Sequence, residues 1–481
     1  MSLMSFFSIP SLKRTEKKRK YTKYFSIFAS GFRKRNHMKP QLLISAISAG
    51  DGKTLFAMGL LRALKKRGLK VQPYKYGPDF IDTQLLSIAA DRESVNLDTW
   101  MASNTHVQHL YNRYGEQADI CITEGVGGLF DGYRRMQGSS AEVAGLLNLP
   151  VILLVNARNA GYSVAPIIYG FKNFYPGVHI AGVVFNQVSS PNHFAYLRDA
   201  CSDANVDCLG YVPYIDTIKF SPRHSVVSQA NRRTLEEQAD IIAAQLEKTV
   251  DINRLLNKCN RTFPCQYTLP YCSDVEPEPF NRHLPKLKIA IARDAAFNFT
   301  YRANIDRLAQ IGNIVHFSPL YGYELPEADI VYLPGGYPEL FARQLHRRHQ
   351  MMKSIKDYAE AGGKILAECG GMAFLGRTLK SRENGTAYPM SNILPIDFTM
   401  PNTPKLISGY RKMNDADMEW KGYEFHYSNI QQDDTSDEQG LKLITNLKGT
   451  EKVLPIYRYK NVIASYVHWY WGDKDILSLW K

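Results

Sequence analysis

The sequence has no uninterrupted apolar run long enough to cross a bilayer, which argues against a helical membrane protein. Cysteine is scarce: seven in 481 residues, at 121, 201, 208, 259, 265, 272 and 369. The number is odd, no C-x-x-C pair occurs and no apolar signal segment precedes them. These absences argue against a structural zinc and predict a reducing, cytoplasmic setting. Acid is nearly missing from the first 39 residues, which hold eleven Lys and Arg against Glu16 alone; of the net charge of +13, only +3 belongs to the rest. The basic character is therefore mostly a tail, and no nucleic-acid or membrane partner is expected. The tail reads as a targeting peptide, an anionic-surface patch or translated upstream sequence. The expectation is a disordered, non-essential extension over residues 1–38, with Met38 as the natural start of the compact protein.

What is present begins with Leu42–Arg67, LLISAISAGDGKTLFAMGLLRALKKR. Leu42–Ala46 reads as a buried parallel strand. A small-residue loop ends in Gly50-Asp51-Gly52-Lys53-Thr54. A helix follows with Leu55, Met58, Leu61 and Leu64 at helical spacing, closed by a basic turn and Gly68. Strand, glycine loop, Lys-Thr and helix is the order that a phosphate cradle requires: loop N–H groups and the helix N-terminus face anionic oxygens, Lys53 adds a charge, and Thr54 can ligate Mg²⁺. The strict pattern places Gly at 47, where this chain has Ile47.

At this length, two or three domains are expected. Strand-helix alternation over 39–250 predicts a parallel α/β sheet, with strands at Lys70–Tyr74, Cys121–Thr123, Val151–Val155, Ile180–Phe185 and a last one within Ser202–Tyr214. Helices are expected around Ala141–Leu147, Asn192–Asn205 and Thr234–Leu246. Residues 251–285, with five prolines and no sustained period, read as a linker. Alternation resumes at Leu287–Ala292 and is expected to run to the C-terminus, making a second α/β domain over 286–481.

Ligands of an open parallel sheet sit beyond the carboxyl ends of its strands. Lys75-Tyr76-Gly77-Pro78-Asp79-Phe80-Ile81-Asp82 emerges there, as does Glu124-Gly125-Val126-Gly127-Gly128-Leu129-Phe130-Asp131, while Asn96–Met101 is expected on a loop. Asp79, Asp82, Glu124 and Asp131 are hard oxygen donors suited to a metal or substrate, and Lys75 suits a phosphate or carboxylate. In combination, SAGDGKT, KYGPDFID, NLDTWM and EGVGGLFDG resemble the cobyrinate a,c-diamide synthase family of corrinoid-pathway amidotransferases. The resemblance covers essentially the whole chain after Met38. It implies a P-loop NTPase-like (dethiobiotin-synthetase-like) domain that uses Mg-ATP to phosphorylate a substrate carboxylate. By that resemblance Gly50, Gly52, Lys53 and Thr54 hold the nucleotide, and Thr54, Asp79 and Glu124 hold Mg²⁺. Lys75, Asp79, Asp82, Glu124 and Asp131 organise substrate and phosphoryl transfer, and Asn186 reads the base. Asn156 stands where the family more often has aspartate.

In the second half, Lys364–Ala367 reads as a strand ending in Glu368-Cys369-Gly370-Gly371 before a helix, a nucleophile-elbow context in which a helix N-terminus lowers the thiol pKa. Gly335-Gly336-Tyr337-Pro338-Glu339 offers N–H groups for an oxyanion hole. His468 follows an apolar strand, placed as a base for Cys369. These features resemble a class I glutamine amidotransferase domain (flavodoxin-like α/β), whose usual acid two residues after the histidine is Tyr470 here. A Cys369–His468 dyad is expected, with Gly336 and Gly370 as oxyanion donors. Glu339, Glu424 and Asp473 are left as third members, and His426 as a packed or hydrogen-bonding histidine. The implied substrates are ATP, glutamine and a corrinoid polycarboxylate, and a homodimer is left open. Alternatives are the same diamidation on hydrogenobyrinate or nickel-sirohydrochlorin, and a P-loop switch ATPase with an inactive glutaminase half.

Overall fold

The computed structural model describes residues 37–218, 229–265, 286–401, 403, 405–415, 418–432, 441–446 and 451–480. The expected disordered extension lies outside the described residues apart from its last two, and so does residues 266–285 of the expected linker.

The first unit is a mostly parallel sheet with helices packed against it. Its strands are β1 (His37–Ala46), β2 (Val71–Tyr76), β3 (Val95–Leu97), β4 (Ile120–Glu124), β5 (Val151–Asn156), β6 (Ile180–Val188), β7 (Cys208–Pro213) and β8 (Asn260–Phe263). The order across the sheet is β3-β2-β4-β1-β5-β6-β7, all parallel, and β8 pairs antiparallel with the first residues of β1. The helices are α1 (Lys53–Lys66), α2 (Ile81–Ala90), α3 (Asn104–Gly115), α4 (Ser140–Leu147), α5 (Val164–Asn173), α6 (Pro191–Asp203), α7 (Gln229–Thr249) and α8 (Ile252–Lys258). Leu42, Leu43 and Ile44 are fully buried on β1 and Val151 to Leu154 on β5, as strands covered on both faces must be.

Three expectations are corrected here. The first strand starts five residues before Leu42, because Lys39 is buried, its ammonium donating to the Gly115 and Ala118 carbonyls, and His37–Pro40 pairs with β8. Residues 252–263 are not linker: α8 and β8 pack on the first sheet, with Cys259, Phe263 and Cys265 buried. Asn96 and Leu97 lie on the short strand β3, not on a loop.

The second unit holds β9 (Leu287–Ala292), α9 (Arg302–Ile311), β10 (Gly312–Phe317), β11 (Ile330–Leu333), α10 (Ala342–His346), α11 (His349–Glu360), β12 (Lys364–Glu368) and α12 (Gly370–Leu375). Only strands and short single-turn helices follow among the described residues, so alternation does not run to the C-terminus. They are β13 (Thr378–Lys380), β14 (Ala387–Pro389), β15 (Ile396–Thr399), β16 (Ile407–Asp415), β17 (Met418–His426), β18 (Asn429–Gln432), β19 (Leu441–Thr445), β20 (Glu451–Tyr459), β21 (Val462–Ser465) and β22 (Val467–Tyr470). The main sheet runs β10-β9-β11-β12-β21-β20-β19-β16-β17-β22. Its β10 to β21 part is parallel and the remainder antiparallel. At Tyr466 the chain leaves β21, beside β12, and as β22 joins β17.

The two units share buried rings. Phe80 stacks on Phe299 at 5.1 Å and meets Tyr301 at 4.8 Å. Tyr410 donates to the Asp98 carboxylate at 2.7 Å and packs on Trp100. His106 shares a 2.9 Å hydrogen bond with the Tyr470 hydroxyl, and Arg302 pairs with Glu93 across the same boundary.

Candidate active site

The phosphate loop connects β1 to α1. Gly50 (φ 88°) and Gly52 (φ 97°) take backbone conformations that only glycine adopts without strain. Asp51 braces the loop by accepting from the Ser48 N–H at 2.8 Å and its hydroxyl at 3.1 Å. The loop backbone at Ile47 packs closely on Gly128, where a Cβ would collide with the Ile47 carbonyl. The fourteen-residue α1 turns its free N–H groups toward this loop. Lys53 donates to the Ser48 carbonyl at 3.2 Å, and burial lowers its pKa.

Beyond the loop, direct contacts join Thr54, Lys75, Asp82 and Glu124. The Lys75 ammonium sits 2.6 Å from Asp82 and 3.0 Å from Glu124, and the Thr54 hydroxyl donates to Glu124 Oε1 at 2.7 Å. Burial opposes the Lys75 charge, but Asp82 and then Glu124 more than offset it and raise its pKa. One ammonium thus serves two carboxylates. Burial pushes Glu124 up to about 7 against the pull of Lys75, and its Oε2 is buried with no hydrogen-bond partner. A buried acceptor of this kind beside a P-loop threonine suits a divalent cation, and no cage of three or more protein ligands stands among the described residues.

Three of the expected site residues hold backbone groups in this structure. Asp79 Oδ1 accepts from the Ile81 and Asp82 N–H groups at 2.8 and 2.7 Å, so this oxygen caps α2 rather than joining the Thr54–Glu124 pair. Asp131 is exposed, and its Oδ2 accepts from the Gly128 N–H at 2.9 Å, closing its own turn. Asn186 donates through its amide to the Asp51 carbonyl at 2.8 Å, and its oxygen accepts from the Gln187 N–H at 3.0 Å. It braces the phosphate loop, close enough that any Cβ on Gly52 would strike it.

In the second unit, Cys369 stands between β12 and α12 with φ 46° and ψ −103°, a strained elbow held by its N–H donating to the Ser465 carbonyl at 2.7 Å. The thiol pKa runs opposite to expectation. Burial, then the charge of Glu339, raise it, and a six-residue α12 does not overcome them. The protonated thiol donates to the Phe425 carbonyl at 3.4 Å. Gly336 (φ 156°) backs onto Ala296, and its N lies 3.1 Å from where a Gly370 Cβ would stand, so the two glycines pack backbone to backbone next to Cys369 in the chain.

His468 is wholly buried on β22, and burial lowers its pKa to about 3. The face of Gly335 admits the ring, since a Cβ there would collide with Cε1. Phe80 covers it with centroids 4.6 Å apart. A ring of the GPDFID segment thus touches the histidine of the other half. Of the expected third members, Glu424 is paired with Arg411 and with His426 at 3.0 Å, while Glu339 is buried with its pKa pushed up to about 7. His426 is the packed, hydrogen-bonding residue expected, stacked on Tyr466 at 3.6 Å. Sequence reasoning missed Phe80 and gave Glu368 no role. The signal for the first lay inside GPDFID, and for the second one residue before Cys369.

The family profile described as "CobQ/CobB/MinD/ParA nucleotide binding domain" matches residues 42–226, and "CobB/CobQ-like glutamine amidotransferase domain" matches residues 288–476. The cobyrinate a,c-diamide synthase of Dehalococcoides mccartyi is 35% identical over 454 residues, covering 91% of this chain and 96% of that protein. The protein of the same name from Picrophilus torridus is 35% identical over 441 residues, covering 89% and 95%. Its Salmonella typhimurium counterpart is 34% identical over 458 residues, covering 91% and 96%. With both halves matched at nearly full length, the chain belongs to the cobyrinate a,c-diamide synthase family.

Proposed function

We propose that this chain amidates the a- and c-acetate carboxylates of cobyrinic acid, with ammonia from glutamine and activation by ATP. The contact between Phe80 and His468 carries the reading, because it sets the carboxylate-rich loop of one half against the nitrogen-releasing centre of the other.

In the second unit the Cys369 proton passes to His468 and the thiolate attacks the glutamine amide carbon. The Gly336 and Gly370 N–H groups receive the oxyanion. His468 returns the proton to the departing nitrogen, ammonia leaves, and water releases glutamate from the thioester. In the first unit a substrate carboxylate oxygen takes the γ-phosphoryl group of ATP, giving ADP and an acyl phosphate. Ammonia then attacks the acyl carbon, phosphate departs and a proton is lost. Lys53 and the N-terminus of α1 hold the phosphates, and Lys75 with Asp82 orients the carboxylate that reacts. Thr54 and Glu124 would hold Mg²⁺, which would supply charge neutralisation on the phosphate oxygens. Two acetates need two such cycles.

The test is mass spectrometry of cobyrinic acid incubated with the protein, Mg-ATP and glutamine, beside Cys369→Ala supplied with glutamine or ammonium. Two amidations by the wild type are expected, lost in the variant with glutamine and restored by ammonium. No amidation despite intact glutaminase would overturn the substrate; hydrogenobyrinate and nickel-sirohydrochlorin would then be tried. Absence of both glutaminase and tetrapyrrole-stimulated ATPase would overturn the reading.

A further inference from the structure

His468 lacks the acid that usually stands two residues further along, yet a carboxylate lies beside it from another strand. Glu368 ends β12, is 1% exposed, and places Oε2 4.0 Å from His468 Nδ1. Both of its oxygens are arranged as acceptors. Oε1 takes the Trp469 N–H at 3.0 Å, and Oε2 takes the Tyr332 hydroxyl at 2.7 Å. Each oxygen has a second lone pair. Among the described residues no side chain hydrogen-bonds to either nitrogen of His468, and the Phe425 backbone is the one group bonding to the ring. The rival acids are placed otherwise: Glu424 is held by Arg411 and His426, and the charge of Glu339 acts on the thiol.

We propose that Glu368 is the positioning acid of the glutaminase, holding the Nδ1–H of His468 so that Nε2 takes and returns the Cys369 proton. The inference rests on the glutamine-hydrolysing half of the reading above. An approach of about 1 Å brings Nδ1 and Oε2 to hydrogen-bond distance. When the S–H proton moves to Nε2, the imidazolium formed donates through Nδ1 to Glu368. The same Nε2 proton then goes to the leaving nitrogen as the C–N bond breaks. Glu368 itself neither gains nor loses a proton in the cycle. The working form carries Glu368 as the carboxylate, which is reached as pH rises through its titration. Burial pushes the Glu368 carboxyl up to about 8 and the His468 imidazole down to about 3, so an imidazolium and a carboxylate would stabilise one another. The groups facing this pair are Tyr332 on β11, Tyr301 before α9, His426 and Glu424 on β17, Glu339 in the glycine turn, and Cys369 itself.

The experiment measures glutaminase kcat and KM against pH for the full chain and for Glu368→Gln and Tyr332→Phe, without corrinoid. Ammonium-supported amidation is measured in parallel. Glu368→Gln should lower glutaminase kcat by about 100-fold or more, with the KM for glutamine within twofold and ammonium-supported turnover retained. The wild-type rate should rise through a group titrating near pH 8, and that rise should vanish in Glu368→Gln. Tyr332→Phe removes a donor to the carboxylate, so it should move the same rise to higher pH. An unaltered pH profile in both variants would overturn the proposal. So would equal losses with glutamine and with ammonium, which mark a damaged fold. If the wild type hydrolyses no glutamine, the functional reading fails together with this one; if it does and Glu368→Gln matches it, only this one fails.

Discussion

At the scale of single residues, the most informative atom is Glu124 Oε2, a buried acceptor without a partner beside Thr54 and Lys75. Replacing it with an amide removes half of the counter-charge to Lys75 and the only acidic group touching Thr54 among the described contacts. Glu124→Gln should therefore lower ATP-dependent turnover by about 100-fold, a loss of roughly 2.7 kcal/mol, while glutaminase stays within twofold. A coupled ADP-release assay beside a glutamate assay reads both; equal falls in the two would discard the metal-holding role. Legibility at this scale divides by what a side chain does to its own neighbours. Gly50, Gly52, Lys53 and Thr54 announce themselves because a phosphate loop is a local chain feature. Asn186 does not, because its work is to hold Asp51, which lies 135 positions earlier. Glu368 was visible as a letter beside Cys369, but a role for it needs β22 folded back so that His468 arrives from a distant part of the chain.

At the scale of elements, α2 has its first turn held by one carboxylate. Asp79 accepts two N–H groups of the first turn, the task of an N-terminal cap. Asp79→Ala should cost about 1 kcal/mol in denaturant melts. Asp79→Asn, which keeps an acceptor, should cost a few tenths by the same argument. Equal losses for the two variants would rule capping out. The parallel strands were legible because apolar runs between glycine loops have few other readings. The last third was not. Strands β16 and β17 pair antiparallel, and buried positions of β17 hold the polar Glu424 and His426, so the apolar pattern of a strand is broken there. Strand β8 failed for another reason. It has four residues, only Phe263 among them buried, and its partner stands at the opposite end of the unit's sequence.

At the scale of the whole molecule, Phe80 joins two chemistries, since α2 begins beside it and His468 lies against its ring. Phe80→Ala should leave each half folded yet weaken their coupling. The expected result is glutaminase whose stimulation by ATP and cobyrinic acid falls at least threefold, with ammonium-supported amidation retained, assuming the 1.4 kcal/mol per tenfold conversion. An unchanged stimulation ratio would show that the ring only fills space. The buried acids also set a pH dependence of stability. Glu124 and Glu339 are pushed up to about 7 and Glu368 to about 8, whereas in an unfolded chain such groups titrate near 4.3 (roughly). The folded state therefore binds more protons, and the stability they contribute is complete below about pH 4 and lost as pH rises through the folded values. His468, lowered to about 3, acts in the opposite sense up to about pH 6.5. The clean window is above that: the unfolding midpoint of the ligand-free protein should fall from about pH 6.5 to 8.5, less steeply in Glu368→Gln. A midpoint that rises across this window would contradict the burial of charge described above.

The pairing of His37–Pro40 with Asn260–Phe263 has a consequence for the order in which the molecule can be made. Every strand of the first sheet has left the ribosome once Phe263 has emerged, so that half can close before the second half is translated. Phe80, however, must wait for Phe299 and then for His468, both of the second unit. A growing chain thus has its nucleotide fold, with Phe80, Trp100 and His106 still uncovered, before it has a source of nitrogen.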